Sequence, residues 1–169
     1  MVFLHGTAIM HSSAAGQPRA ERVRQSARRD HGVLDFGAYV PTDGAVDKVR
    51  TWQSAGAEIC YLSSHRTAAA AAIDGAVLNA YGFPAGTIHF RAGDEGYPDV
   101  VCRAGADVLV EDDCESIGGV AQTTAAALAH SAHRAIKCVI VPEFGGLAHL
   151  PDNPRRLVGL ALSRAVPRA

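Results

Sequence analysis

Lysine is scarce in this sequence, and the first 20 residues contain no carboxylate. It contains only two lysines, Lys48 and Lys137, and its first carboxylate is that of Glu21. No apolar run reaches the roughly 18 residues that a membrane span requires, and the chain opens on an apolar strand pattern without a basic leader. These absences argue against a signal peptide and against a membrane partner, and we expect a cytoplasmic protein.

The balance of charges indicates which kind of partner to expect. The chain has 16 basic and 17 acidic residues and is close to neutral. It therefore lacks the positive excess typical of proteins that bind nucleic acid or anionic membranes, so we expect a small-molecule partner and no nucleic acid. The four cysteines lack the close pairs of a structural zinc site. They are predicted to be reduced core residues, namely Cys60, Cys102, Cys114 and Cys138.

Short apolar runs alternate with helical segments along most of the chain. Strands are predicted at residues 2–4, 58–62, 87–90, 107–110 and 138–141, and helices at 45–55, 67–80, 95–104 and 116–134. This alternation is typical of an α/β fold, and we predict a Rossmann-like, parallel, five-stranded sheet in three layers. A length of 169 residues suits a single domain that spans 1–169.

One segment, at about residues 8–44, interrupts the alternation. It contains a predicted helix from Gln17 to Arg29, followed by a turn-rich stretch, and we interpret it as a small helical cap. The helix is strongly basic, which fits either closure over an anionic ligand or a solvated, salt-bridged face. Its arginines are Arg19, Arg22, Arg24, Arg28 and Arg29.

Three short motifs lie at the ends of predicted strands. Phe3-Leu4-His5-Gly6-Thr7 ends the first, Ser63-Ser64 follows the second, and Glu111-Asp112-Asp113 ends the fourth. In order and spacing, over roughly residues 2–118, these motifs resemble those of the haloacid dehalogenase (HAD-like) superfamily of phosphatases and phosphotransferases. The resemblance implies a HAD-like fold with a phosphate site and a divalent cation at the strand ends.

The first motif departs from the pattern of that superfamily, which is Asp-x-Asp-Gly-Thr. Alignment of Gly6-Thr7 places Phe3 at the position of the nucleophile and His5 at that of the general acid and base. A phenyl ring cannot attack phosphorus, so we do not expect a phosphoaspartyl intermediate. If the chain is a hydrolase, we expect water as the nucleophile, with His5 and Asp112 as the catalytic residues.

Polar residues after the strands are candidates for binding phosphate. In an open parallel sheet, the carboxyl ends of the strands meet at one edge, where backbone amides, hydroxyls and guanidinium groups can surround an anion. The lysine of the superfamily has no counterpart before the acidic motif, and Arg91 is expected to supply positive charge. Alternatively, the hydroxyls only cap turns and helices. The predicted phosphate-binding residues are Gly6, Thr7, Ser63, Ser64, Arg66 and Arg91.

The three consecutive acids predict a cation site. Repulsion between carboxylates at the end of an apolar strand is offset by a bound cation, and hard oxygen ligands suit Mg²⁺. By the resemblance, Asp112 is the main ligand, beside Glu111 and Asp113. The alternative is that Asp112 or Asp113 caps the following helix, where the helix dipole favours a negative charge.

Histidine offers a second kind of metal site. His5 and Asp112 together, assisted by His65 or His11, would supply imidazole and carboxylate ligands that favour a transition metal over magnesium. In the simpler interpretation, His5 acts through hydrogen bonds alone and His11 lies in an exposed loop.

These features lead to one expected function and one alternative. We expect a divergent HAD-like, phosphohydrolase-type domain that binds a small phosphorylated or anionic metabolite with a divalent cation. The alternative is a catalytically inactive binding or scaffold protein on the same fold, which could form a homodimer through its cap. Fold resemblance alone does not decide between them.

Overall fold

The structure is a computed structural model, which describes residues 1–129 and 136–160. Five strands, in the order β5-β4-β1-β6-β7, form a parallel sheet, and β2 and β3 form a separate antiparallel pair. The strands in chain order are β1 (Val2–Phe3), β2 (Ile9–Met10), β3 (Val40–Pro41), β4 (Cys60–Leu62), β5 (Thr87–His89), β6 (Val108–Asp112) and β7 (Lys137–Val141).

Helices connect the strands of the parallel sheet. Within the described residues they are α1 (Arg19–Arg28), α2 (Ala45–Ser54), α3 (Ala68–Ala80), α4 (Tyr97–Arg103), α5 (Thr124–Leu128) and α6 (Leu157–Leu160). The predicted bounds of α1 to α4 are confirmed to within two residues. None of the described helices is long and apolar enough to cross a membrane.

The helix predicted at 116–134 is wrong in its first part. Glu115–Ile117 and Val120–Gln122 are separate 3₁₀ turns, and the α-helix begins only at Thr124. Gly118 and Gly119, both with positive φ, interrupt the helix between the two turns. Residues 130–135 of that prediction lie outside the described residues.

Apolar side chains of the strands lie on both faces of the sheet, where they belong to two core clusters. Side chains of successive strand residues point to opposite faces. Val2 and Tyr61 belong to the cluster that includes Trp52 of α2 and Leu78 of α3. On the other face, Phe3, Leu62 and Leu109 pack with Val100 and Val101 of α4. The predicted three-layer α/β arrangement with a five-stranded parallel sheet is therefore confirmed.

The segment at residues 8–44 contains the two-stranded sheet as well as α1. Each of β2 and β3 has only two residues, which is too short for a periodic apolar pattern, and the sequence analysis missed both. A tight turn leads into β2, because the backbone amides of Thr7, Ala8 and Ile9 all donate to the carbonyl oxygen of Leu4. Met10, Val23 and Phe144 then join α1 to the main body through a small apolar cluster.

Candidate functional site

The candidate site lies where the strand order of the parallel sheet reverses. The chain runs from β1 outward through β4 to β5 and then crosses to β6 on the other side of β1. In open α/β sheets, ligands bind beyond the carboxyl ends of the strands at such a point. Residues that follow β1, β4, β6 and β7 surround a pocket of about 240 Å³ here.

A larger cleft of about 610 Å³ lies at the opposite edge, beside Met1, Val2 and Asp107 at the amino ends of the strands. We assign the site to the smaller pocket because it lies at the carboxyl ends of the strands, where the sheet reverses, and because three buried carboxyl groups line it. The residues that define its chemistry are Phe3, His5, Gly6, Tyr39, Ser64, Tyr97, Glu111, Asp112 and Glu143.

His5 occupies the centre of a chain of hydrogen bonds. Its Nε2 lies 3.1 Å from Oδ1 of Asp74, and its Nδ1 lies 2.8 Å from the Ser64 hydroxyl. The imidazole also makes edge-on ring contacts with Phe36, at 5.2 Å, and with Tyr39, at 5.5 Å between ring centroids. These contacts hold the ring in one orientation, with a carboxylate at one nitrogen and a hydroxyl at the other.

Asp74, in the middle of α3, links His5 to Ser63 in this series of hydrogen bonds. Its carboxylate is fully buried, and its Oδ2 accepts a hydrogen bond of 2.6 Å from the Ser63 hydroxyl. Ser63 in turn accepts a hydrogen bond from the backbone amide of His65. The buried acid is thus partnered on both oxygens and ties α3 to the loop after β4.

His65 completes a group of two imidazoles and one carboxylate. Its Nε2 lies 3.5 Å from Oδ1 of Asp74, and its ring centroid is 5.1 Å from that of His5. Burial lowers the pKa of the His65 imidazole. His5, His65 and Asp74 are spaced so that they could hold a metal ion.

A second group consists of carboxylates. Ligand oxygens of Asp112, Asp113 and Glu143 all lie within 4.8 Å of one another, and this group could also hold a metal ion. Thr7 donates a hydrogen bond of 2.7 Å to Asp112, and the Glu143 amide donates one of 3.0 Å to Asp113. The backbone amide and hydroxyl of Ser116 both donate to Glu143, each at 2.6 Å.

Two of these carboxyl groups titrate at unusually high pH. Burial raises the pKa of Asp112 to about 6, although the hydrogen bonds from Thr7 and Cys114 oppose the change. Burial likewise raises the pKa of Glu143 to about 7, and the charges of Asp112 and Asp113 add to the effect. Near neutral pH, therefore, Asp112 and Glu143 can exchange protons, and a nearby positive charge favours their ionised forms.

Gly6 allows the turn after β1 to pass directly over Asp112. Its φ is +88°, and a Cβ atom at this position would lie 2.7 Å from Oδ2 of Asp112. Glycine is therefore required both by the left-handed backbone and by the close approach. The conformation brings the His5–Gly6 backbone and the Asp112 carboxyl to the same side of the pocket.

Glu111 has a different environment from the one predicted for a metal ligand. Its buried carboxylate accepts hydrogen bonds from the backbone amides of Thr124 and Ala125, at 2.9 and 2.6 Å, where α5 begins. In the carboxylate group, Glu143 takes the place that the sequence analysis gave to Glu111. Asp112 and Asp113 are brought together as the sequence predicted.

Only some of the predicted phosphate-binding residues line the pocket. Gly6 and Ser64 line the pocket, whereas the hydroxyls of Thr7 and Ser63 are buried and bonded to Asp112 and Asp74. The exposed Arg66 donates to the carbonyl oxygen of Gly93. The Arg91 guanidinium lies 3.9 Å above the ring of Tyr97, which lines the pocket, whereas Arg91 itself does not line it.

The cap is joined to the rim of the site by two arginines of α1. Arg19 donates to the Glu143 carbonyl oxygen at 2.8 Å and to Glu115 at 2.6 Å, and it lies 3.5 Å from Asp113. Arg22 donates to the Phe144 carbonyl oxygen at 2.9 Å and to Asp43 at 3.1 Å. This part of the basic helix thus makes salt bridges to the body of the protein.

The expectation that His11 lies in an exposed loop is wrong. His11 is only 1 % exposed, and its ring contacts Tyr39 and Phe144. Its Nδ1 is bonded to Ser13. His11 directly follows β2 and is covered by the cap, so it is almost inaccessible to solvent.

Two acidic residues of the site were not identified from the sequence as site residues. Asp74 is the single charged residue of the alanine-rich helix α3, and that isolation within an apolar helix was an available signal. Glu143 follows β7, as Asp113 follows β6, so its position at the same sheet edge was a second signal. Neither residue belongs to a recognisable motif.

Comparison with protein-family models, with curated proteins and with solved structures found no match for this chain.

Proposed function

We propose that this chain is a divergent, HAD-like hydrolase-type domain that binds a small phosphorylated molecule together with a divalent cation. One observation carries the proposal. An imidazole held by a buried aspartate lines one pocket, at the reversal point of the sheet, together with Asp112 and Glu143, two of the three carboxylates that could hold a cation. A base beside a cation site is the minimum that hydrolysis without an aspartyl nucleophile requires.

The carboxylates Asp112, Asp113 and Glu143 are assigned to the cation. Their oxygens are close enough to share one ion, and the hard ligands suit Mg²⁺ or Mn²⁺. A bound cation would offset the repulsion that helps to raise the pKa values of Asp112 and Glu143. It would also supply the positive charge that a phosphate requires, because no arginine or lysine among the described residues lines the pocket.

His5 is assigned to proton transfer. Asp74 already accepts from its Nε2 side, which leaves Nδ1, on the Ser64 side, as the nitrogen that can take up a proton. Water is the final acceptor of the transferred group, and His5 accepts the proton that this water loses. The phenyl ring of Phe3, which packs edge-on against Tyr97, takes no chemical part.

A phosphatase screen of the purified chain tests the proposal. We expect hydrolysis of at least one small phosphate ester in the presence of Mg²⁺, Mn²⁺ or Zn²⁺, and loss of turnover with EDTA. Asp112→Asn and His5→Gln should each reduce turnover by about a hundredfold or more. Ser54→Ala, on the exposed end of α2, is the matched control. Absence of turnover with every cation would favour the binding or scaffold alternative.

A further inference from the structure

We propose that Ser64 is a covalent nucleophile, activated by His5 and oriented through Asp74. The inference rests on the proposed hydrolase function and adds the group that attacks the substrate first. It supplies a nucleophile of this chain's own in place of the carboxylate that is lacking at Phe3.

The geometry connects the three side chains in the order that such catalysis requires. Ser64 Oγ lies 2.8 Å from Nδ1 of His5, and Nε2 of His5 lies 3.1 Å from Oδ1 of Asp74. Nucleophile, base and orienting carboxylate are thus each within hydrogen-bond reach of the next. The ring nitrogens are used in the opposite sense to that of many serine hydrolases, but the chemical roles are the same.

The hydrogen bonds determine which nitrogen of His5 carries the proton. A carboxylate only accepts, so the His5 nitrogen that faces Asp74 must be the protonated Nε2. Nδ1 then has a free lone pair. Both the Ser64 hydroxyl, at 2.8 Å, and the Ser64 backbone amide, at 3.4 Å, are directed to that lone pair. The Ser64 proton therefore points at the base that would remove it.

The orienting acid is held more firmly than a chance neighbour would be. Asp74 is completely buried, and its second oxygen is bonded to Ser63 at 2.6 Å. The His65 amide fixes Ser63 in turn. A buried, unpaired carboxylate is costly, so the acid stabilises positive charge on His5 at the moment when His5 takes up the proton.

Ser64 is also the reachable member of the serine pair. Ser63 is fully buried, whereas Ser64 is half-buried and lines the pocket with His5 and Asp112. The pocket volume of about 240 Å³ admits a small ester group. A phosphate ester in this pocket would share it with the Ser64 hydroxyl and with Asp112 and Glu143, which would hold the cation.

The proposed reaction has two balanced steps. Ser64 Oγ attacks phosphorus, its proton passes to Nδ1 of His5, and the bond from phosphorus to the ester oxygen breaks. The departing oxygen takes the proton from His5. Water then attacks the phosphorus of the serine phosphoester and gives a proton to His5, which returns it to Ser64 Oγ as the phosphate leaves.

A fluorophosphonate probe tests the nucleophile independently of the natural substrate and of the cation. Attack by Ser64 forms an oxygen–phosphorus bond and releases fluoride. We expect peptide mass spectrometry of the full chain to find the adduct on Ser64. His5→Gln and Asp74→Asn should slow labelling by about a hundredfold or more, and Ser64→Ala should abolish it. Ser54→Ala should be labelled at the normal rate.

The outcomes separate this inference from the proposed function. An unlabelled chain, a label at another residue, or unchanged labelling of His5→Gln would overturn the role of Ser64. Full phosphatase turnover by Ser64→Ala would also overturn it and leave the proposed hydrolase function intact. Labelling of Ser64 without hydrolysis of any phosphate ester would support the nucleophile and count against the phosphatase proposal. Thermal unfolding curves of each variant establish that it is folded.

Discussion

Nε2 of His5 lies 3.1 Å from Oδ1 of Asp74, although 69 positions separate the two residues in the chain. This contact joins the residues that follow β1 to the middle of α3. It places a buried carboxylate beside the carboxyl end of the central strand. Several consequences for stability and ligand binding can be measured without knowledge of the substrate.

Removal of the Asp74 carboxylate should destabilise the fold. Asp74→Ala leaves Ser63 and His5 without their acceptor, and loss of one partner from a buried charged network costs about 3 kcal/mol. Urea unfolding followed by circular dichroism measures the change. The control, Asp94→Ala, concerns an exposed acid, and we expect a change below about 0.5 kcal/mol. Equal losses in both variants would contradict a special role for the Asp74 contacts.

The contribution of Asp112 and Glu143 to stability should decrease as the pH rises from about 4 to about 7. The pKa values of Asp112 and Glu143 in the folded chain, about 6 and about 7, lie above the ordinary values of 3.8 and 4.5. At a pH between the ordinary and the folded pKa of each group, the folded state binds the proton more tightly than the unfolded state does. Deprotonation therefore favours unfolding. For Asp112, the difference between the folded and the ordinary pKa corresponds to a loss of roughly 3 kcal/mol in the free energy of unfolding. The measurement is the melting temperature against pH.

Glu143→Gln supplies the matched variant for that pH profile. Glutamine keeps the shape of the side chain and can still bond to both groups of Ser116. We expect the variant to be more stable than the parent at pH 8 and similar near pH 4, with a flatter profile between. A profile identical to that of the parent would show that Glu143 titrates at an ordinary pH.

Divalent cations should stabilise the chain at alkaline pH. Mg²⁺ or Mn²⁺ requires ionised carboxylates, and Asp112, Asp113 and Glu143 are spaced to share an ion. At a concentration of about 100 times the dissociation constant, the gain is about 2.7 kcal/mol. We expect the melting temperature to rise at pH 8 and to change little at pH 5. Asp113→Asn should remove the effect, whereas Asp94→Asn should retain it.

Gly6→Ala should displace the Asp112 carboxyl. The new Cβ would lie 2.7 Å from Oδ2 of Asp112, and φ is +88°, so steric overlap of about 1–3 kcal/mol adds to left-handed strain of about 1–2 kcal/mol. Gly93→Ala is the control because it also has a positive φ, +56°, but no atom within 4 Å of the added Cβ. Calorimetry should show a distinctly larger loss for Gly6→Ala, and cation binding should weaken in that variant alone.

The sequence predicted the local structure better than the site. Short apolar runs located the five strands, because core clusters cover both faces of the sheet, and the segments between these runs located the helices α1 to α4. It also placed His5, Gly6, Ser64 and Asp112 at one edge. It missed the two-residue strands β2 and β3, which are stabilised by pairing with each other and not by a pattern of their own. The resemblance to HAD-like proteins stays a prediction.

What the sequence by itself determined is the alternation of strands with helices and the side chains that end each strand, including the phenyl ring of Phe3. Only the tertiary structure decided which acids meet. Asp74 reaches His5, Thr7 reaches Asp112 across 105 positions, and Glu143 joins the carboxylates while Glu111 turns to α5. These partners depend on the order of strands in the sheet and on the direction of each side chain, and neither is encoded in local periodicity.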